Sequence, residues 1–325
     1  MARAPRGVPA VTGARIPAFA ELPVRPGAPP GSSWGVFGER DDLGTLNFIG
    51  AAEVRAAAGL VRKGAVFALS LPVDLPAPAF FGRAAPRHTI FTKYEGVAAD
   101  DYLDGFWPQA STQWDGLRHF SEPGFGFYDG VTLAEATQPG GGRLGVDHWA
   151  RRGIVARAVL VDVARAVSLD PLDFYPVGVA LIEQILLDQG VELRDGDVLL
   201  LRTGWVEAYE ALSPPERAAL AADGKRPGSP GLHGDDVPAF LWDNRIAAVA
   251  ADNPALEAAH AGSSPALELH HALIAKLGMA LGELWSLAAL AADCAGDGVF
   301  EAMLTSAPLN LPGGVGSPAN ALALK

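Results

Sequence analysis

One short segment gathers several side chains able to do chemistry: Ser111-Thr112-Gln113-Trp114-Asp115-Gly116-Leu117-Arg118-His119. Asp115 and His119 stand four residues apart, so on a helical turn they would share a face. A carboxylate and an imidazole converging there could ligate a metal ion, or work as a base and the group that orients it. The same spacing serves surface pairs and helix caps. What distinguishes it here is the company of Gln, Trp and further aromatics in place of a solvated helix. A second group is His270-His271 with Glu283. An imidazole on an Ala/Leu-rich helix is often a satisfied core residue. Glu283, however, falls within Met279-Ala-Leu-Gly-Glu283-Leu-Trp285. A carboxylate in so apolar a run must be paired, protonated or metal-bound. Buried acids of this kind are candidates for functional sites.

Other chemistry-bearing patterns fall away. The sequence has no Walker A loop, no Gly-x-Ser-x-Gly elbow and no His-Glu-x-x-His pair. Gly124-Phe-Gly126-Phe-Tyr-Asp-Gly130 lacks the preceding strand and the spacing of a dinucleotide loop. Cys294 sits in an Ala-rich helical stretch with nothing nearby to lower its pKa, so it reads as an inert buried thiol. As the lone cysteine it also excludes a disulfide framework and any Cys-based zinc finger.

The elements that must hold these residues come from a chain of 325 residues, 49% hydrophobic and 19% charged, enough for a sizeable core. A net charge of −12 without a Lys/Arg cluster speaks against nucleic acid. The apolar stretch Ala266–Ala292 is interrupted by Glu268, His270, His271, Lys276 and Glu283, so it does not read as a membrane span. Arg3, Arg6 and Arg15 precede no apolar core of a signal peptide, which leaves a cytoplasmic protein as the expectation. Residues 1–33 hold Pro9, Pro17, Pro23, Pro26, Pro29 and Pro30 and read as an extended arm, suited to lying across a neighbouring subunit. Residues 34–325 read as one catalytic domain. Residues 79–150 are aromatic and Gly-rich with little periodicity, as functional loops are. Strands are expected at Val66–Leu71, Ile154–Val163, Asp197–Arg202, Ile246–Ala251 and Phe300–Thr305. Helices are expected from Gly50, at Val179–Asp188 (stopped by Gly190), from Ser213, and at Asp236–Trp242, Leu267–Leu277 and Leu287–Asp293. Strands and helices mix without strict βαβ repetition, which predicts an α+β, or mixed α/β, fold.

Read in order, several pieces resemble the putative cyclase family, which includes bacterial kynurenine formamidases and isatin hydrolases. They are Ser33-Trp34-Gly35 with Asp41–Asn47, Ser111–His119, Phe127-Tyr128-Asp129-Gly130 and Gly196–Trp205. Asp252-Asn253 with Glu257, the stretch from His270 to Glu283, and Pro308–Asn320 complete the series. The layout is that of a long-form member. The resemblance implies a swivelling β/β/α fold, a mixed β core flanked by helices, and homodimers or homotetramers with sites near subunit contacts. The family signature His-x-Gly-Thr-His-x-Asp-x-Pro-x-His places its first His on Gln109, its Gly on Ser111 and its Thr on Thr112. Its second His falls on Gln113, its Asp on Asp115, its Pro on Leu117 and its last His on His119. In metal-dependent relatives the first two His and the Asp bind zinc or manganese. The last His acts at the catalytic centre with a downstream His and Glu, here His270 (or His271) and Glu283.

Two imidazole ligands have thus become amides. A Gln oxygen is a poor zinc ligand but can serve manganese or magnesium. The site could keep a harder metal beside Gln113, Asp115 and His119, rebuild coordination from His270, Glu283 or His88, or work without metal. The resemblance therefore implies a hydrolase of an amide, cyclic amide or lactone bond in a small molecule, by metal-activated water. Asp115 would hold the ion, and His119, with His270 or Glu283, would move protons. Thr112 could bond a ligand residue or the substrate. Trp107, Trp114, Phe125 and Tyr128 would form an aromatic wall, or else belong to the core. The alternatives are a metal-independent cyclase or lyase and a non-catalytic binding homologue.

Overall fold

The computed structural model describes residues 15–222, 226–263 and 267–325. Residues 1–14 of the expected arm and 264–266, at the start of the apolar stretch, lie outside the described residues. Among the described residues, nine strands join in one mixed sheet. Their order is Val66–Ala68, Ala321–Leu324, Glu301–Ser306, Ile154–Asp162, Val198–Arg202, Ala248–Ala251, Ala280–Glu283, Gln113–Asp115 and Gly316–Pro318. The four consecutive strands from Ile154–Asp162 to Ala280–Glu283 run parallel. The remaining pairs are antiparallel. Helices flank this sheet, as the mixed α/β reading expects.

The central strands are covered on both faces, which is why Val198-Leu-Leu-Leu and Ala248-Val-Ala-Ala read as unbroken apolar runs. Helix Val179–Gln189 ends where Gly190 adopts a left-handed φ of 67°. Helix Pro214–Leu220 is started by Ser213, whose backbone N–H donates to Glu216 Oε2 at 2.7 Å. The described part of the arm packs on its own chain. Phe19 N donates to Asp243 Oδ1 at 2.7 Å, Trp242 Nε1 donates to Pro17 O at 2.9 Å, and Ser32 and Ser33 are buried.

The structure corrects two local expectations. Gln113–Asp115 is a strand, not part of a helical turn. The expected helix Leu267–Leu277 is a short α-turn, Glu268–His270, followed by a wider π-turn, His271–Lys276. Within residues 79–150, Arg87–Lys93 and Ala98–Asp104 pair as a separate hairpin.

Candidate active site

Strand pairing builds the site. The Gln113–Asp115 strand runs antiparallel to Ala280–Glu283, with Gln113 opposite Glu283 and Asp115 opposite Leu281. Side chains alternate faces along a strand, and directly opposed residues share one. Gln113, Asp115 and Glu283 therefore project to the same side, and Trp114 and Gly282 take the other. There Trp114 packs edge-on against Trp285 at 4.7 Å and donates to Ser306 Oγ at 2.9 Å. Trp285 Nε1 in turn donates to the Gln113 carbonyl at 3.0 Å. Gly282 is required by this packing: a Cβ there would stand 2.4 Å from Ala250 Cβ and 2.6 Å from Trp285 Nε1. Thr112 pins the strand start, accepting from Leu71 N at 2.8 Å and donating to the Leu284 carbonyl.

The first turn of helix Glu268–His270 supplies the imidazole. His270 N–H is one of the donors a helix start leaves without an intrahelical partner. It donates to Glu257 Oε1 at 3.0 Å, and the same oxygen lies 2.6 Å from His270 Nδ1. Nε2 is then aimed at Glu283 Oε1, 3.2 Å away, with Asp115 Oδ2 at 3.9 Å. Burial pulls the His270 pKa down, but the hydrogen bonds and charges of Glu257 and Glu283 outweigh it and raise it to about 9. Burial and the neighbouring Asp115 charge push Glu283 up. His119 reaches the group from the turn after the strand, where its N–H donates to Gly116 O at 2.9 Å. Its Nε2 lies 3.7 Å from Asp115 Oδ1. Burial holds His119 below the usual imidazole value, so it is neutral near pH 7.

Two amides complete the cluster. Gln113 Nε2 donates to Glu283 Oε2 at 2.6 Å and lies 3.4 Å from Asp115 Oδ1, which also accepts from Gln109 Nε2. Asp115 Oδ2 and Gln113 Oε1 are buried without a partner among the described residues. Asp115, His270 and Glu283 offer donor atoms all within 4.8 Å of one another. Two carboxylates, an imidazole and the Gln113 amide oxygen, with Asp115 Oδ2 and Gln113 Oε1 unpartnered, make a donor set that fits a divalent metal ion.

The cluster opens into a cavity of about 220 Å³ lined by His119, Phe120, His270, Glu283, Phe81 and Arg83, among others. A wider cleft of about 340 Å³ lies behind Glu257 and holds none of Asp115, His119 or Glu283. His119, His270 and Glu283 face the smaller one. Phe120 stands at its wall, its ring 4.9 Å from those of both His119 and His270.

Sequence reasoning names Gln113, Asp115, His119, His270 and Glu283, and the structure brings these together. His271 turns away, its Nδ1 2.7 Å from Ser121 O. His88 pairs with Asp101 at 2.7 Å on the separate hairpin and is not in the cluster. The proposed aromatic wall is corrected. Trp114 and Tyr128 are wholly buried in the core, Tyr128 donating to Asp41 Oδ2 at 3.1 Å. Trp107 and Phe125 are about half exposed and do not line the cavity. The Thr112 hydroxyl bonds two backbone groups, and Thr112 does not line the cavity. Phe81, Arg83, Phe120 and Arg226 line the cavity instead. Of these only Phe120 carried a sequence signal, as the direct neighbour of His119.

Comparison with known proteins places the fold. A family model described as putative cyclase matches residues 67–258. A crystal structure described as a novel cyclase is 35% identical, covers 90% of this chain and 99% of that one, and superposes with a TM-score of 0.81. The chain belongs to the putative cyclase family. The fold of this cyclase-family chain is also like that of isatin hydrolase A from Labrenzia aggregata, bound to benzyl benzoate. That structure is 20% identical, covers 82% of this chain and 94% of its own, and has a TM-score of 0.59. An isatin hydrolase bound to the product analogue thioisatinate is 21% identical, covers 85% and 99%, and has a TM-score of 0.55. No curated protein matches the sequence. Among the described residues, no helix of this cyclase-family chain is long and apolar enough to cross a membrane.

Proposed function

We propose that the protein hydrolyses an amide, cyclic amide or lactone bond in a small, aromatic molecule. The observation that carries this reading is the buried Asp115–His270–Glu283 group opening beside His119 into a small cavity. The hydrolase names of its fold neighbours support it. Asp115 and Glu283 would hold a divalent ion together with His270 and the Gln113 side-chain oxygen. That oxygen-rich set suits manganese better than zinc. Such an ion, when bound, supplies a Lewis acid and an activated water at neutral pH.

The chain's own residues do the rest. His119, neutral near pH 7, accepts a proton at Nε2 and returns it to the leaving group. Asp115, 3.7 Å away, favours the imidazolium formed between those steps. Glu257 fixes the His270 ring. Phe81 and Phe120 give a flat substrate an apolar wall.

A second reading, a metal-independent cyclase or lyase, draws support from the amide N–H groups of Gln109 and Gln113 on the two carboxylates. Those donors stabilise buried negative charge without an ion. The test is turnover on a panel of cyclic amides, lactones and aryl formamides. Activity abolished in Asp115→Asn and His119→Gln, and in chelator, is expected. Activity that persists in chelator selects the second reading. Activity unchanged in both variants overturns each.

A further inference from the structure

Arg226 is 5% exposed, yet among the described residues it makes no ion pair. Its Nη2 donates to the backbone carbonyls of Glu257 at 2.7 Å and Ala255 at 3.3 Å. Its Nε is buried and has no partner among the described residues. The other two buried arginines among the described residues are treated differently: Arg118, also without an ion pair, gives Nε, Nη1 and Nη2 to four backbone carbonyls. Arg157 holds Asp197 through two bonds, Nε to Oδ1 at 2.8 Å and Nη2 to Oδ2 at 2.7 Å. A guanidinium kept from water with a donor unspent is costly. Burial pulls Arg226 below its usual range, and the charges of Glu257 and Glu283, neither of them paired with it directly, offset only part of that. Arg83 lines the same cavity. Among the described residues its one polar partner is the Gln109 carbonyl, and its guanidinium lies 5.5 Å from the Phe81 ring.

We propose that the cavity takes an organic anion, a carboxylate on a small apolar or aromatic body, with Arg226 and Arg83 holding the carboxylate. The planar fork of a guanidinium matches the two oxygens of a carboxylate. The direct partner that the buried Arg226 Nε lacks among the described residues would then come from the ligand. Phe81 and Phe120 would contact its body. At about 220 Å³ the cavity is smaller than the ~300–1,000 Å³ of drug-sized sites, so a single ring with one charged group suits it. Glu283 lines the cavity with Asp115 beside it, and Arg226, Arg83 and the His270 ring offset that negative charge for an incoming anion. The inference rests on the hydrolytic reading only in taking this cavity as the substrate site.

The probes are benzoate and its neutral isostere benzamide, with binding to the full chain read by calorimetry or ligand-observed NMR. Measurements are made as purified and again after chelation, so that no metal can hold the carboxylate. Benzoate is expected to bind at least about tenfold more tightly than benzamide in both preparations. Arg226→Gln should weaken benzoate at least about tenfold and leave benzamide within about twofold, and Arg83→Gln should act in the same direction. Should Arg226→Gln fail to fold, Arg83→Gln decides alone. Equal affinity for the two probes, or benzoate affinity unchanged in the folded arginine variants, overturns the inference. Because no turnover is read, selective benzoate binding by a protein that hydrolyses nothing would reject the hydrolytic reading and leave this one standing.

Discussion

Glu257 holds His270 through a single oxygen, and that geometry sets the cost of changing it. Oε1 accepts from His270 N at 3.0 Å and lies 2.6 Å from Nδ1. Glu257→Ala removes a charge-assisted bond worth about 1.5–3 kcal/mol and leaves a buried backbone N–H unsatisfied at about 1–3 kcal/mol. The cleft behind Glu257 can admit water to the freed groups, which favours the lower end of the sum, about 3 kcal/mol. Glu257→Gln keeps an acceptor in the same place and loses only the charge, so about 1–2 kcal/mol is expected. The assay is urea denaturation of wild type and both variants in chelator, with activity measured on the folded proteins. Turnover or metal affinity should fall about ten- to a hundredfold in Glu257→Ala, because the ring is no longer oriented. An alanine variant within about 0.5 kcal/mol of wild type would refute the capping role. Equal losses in the two variants would refute the claim that acceptor geometry matters beyond charge.

Two further outcomes follow from the packing. Gly282→Ala forces a Cβ against Ala250 and Trp285, so it should cost about 1–3 kcal/mol or more and break the Trp285–Gln113 bond. An unchanged melting temperature and unchanged turnover would contradict this. Burial pushes the Cys294 thiol up to about 11, so at pH 8 about one molecule in a thousand carries a thiolate. Iodoacetamide should label it in denaturant and not in the native protein, and rapid native labelling would show the site to be open.

How much of this was legible depended on whether a residue's role is local. Val198–Arg202, Ala248–Ala251 and the helix stop at Gly190 are written in runs and punctuation that need no tertiary context. Asp115 and His119 do meet, though not for the reason their spacing suggests. A strand and the turn after it bring them together, not a helical face. The same misreading hid Trp114. On a strand it must face away from Gln113 and Asp115, and it packs in the core. The hairpin Arg87–Lys93 and Ala98–Asp104 escaped notice because it is exposed along nearly its whole length, so no burial imposes alternation. Arg83 and Arg226 lie outside helices and strands, and only the folded chain brings them to one cavity. Glu257 stood among the resembling pieces, but its contact with His270 spans thirteen residues and a change of element.

The most direct test of the proposed centre is metal content, measured on purified protein and again after incubation with manganese, for wild type and Asp115→Asn. About one equivalent of divalent ion per chain is expected in wild type, lost in Asp115→Asn, with turnover that follows the bound metal. Wild-type protein that binds no ion under either condition, and turns over substrate equally well in chelator, would contradict the metal-assisted account.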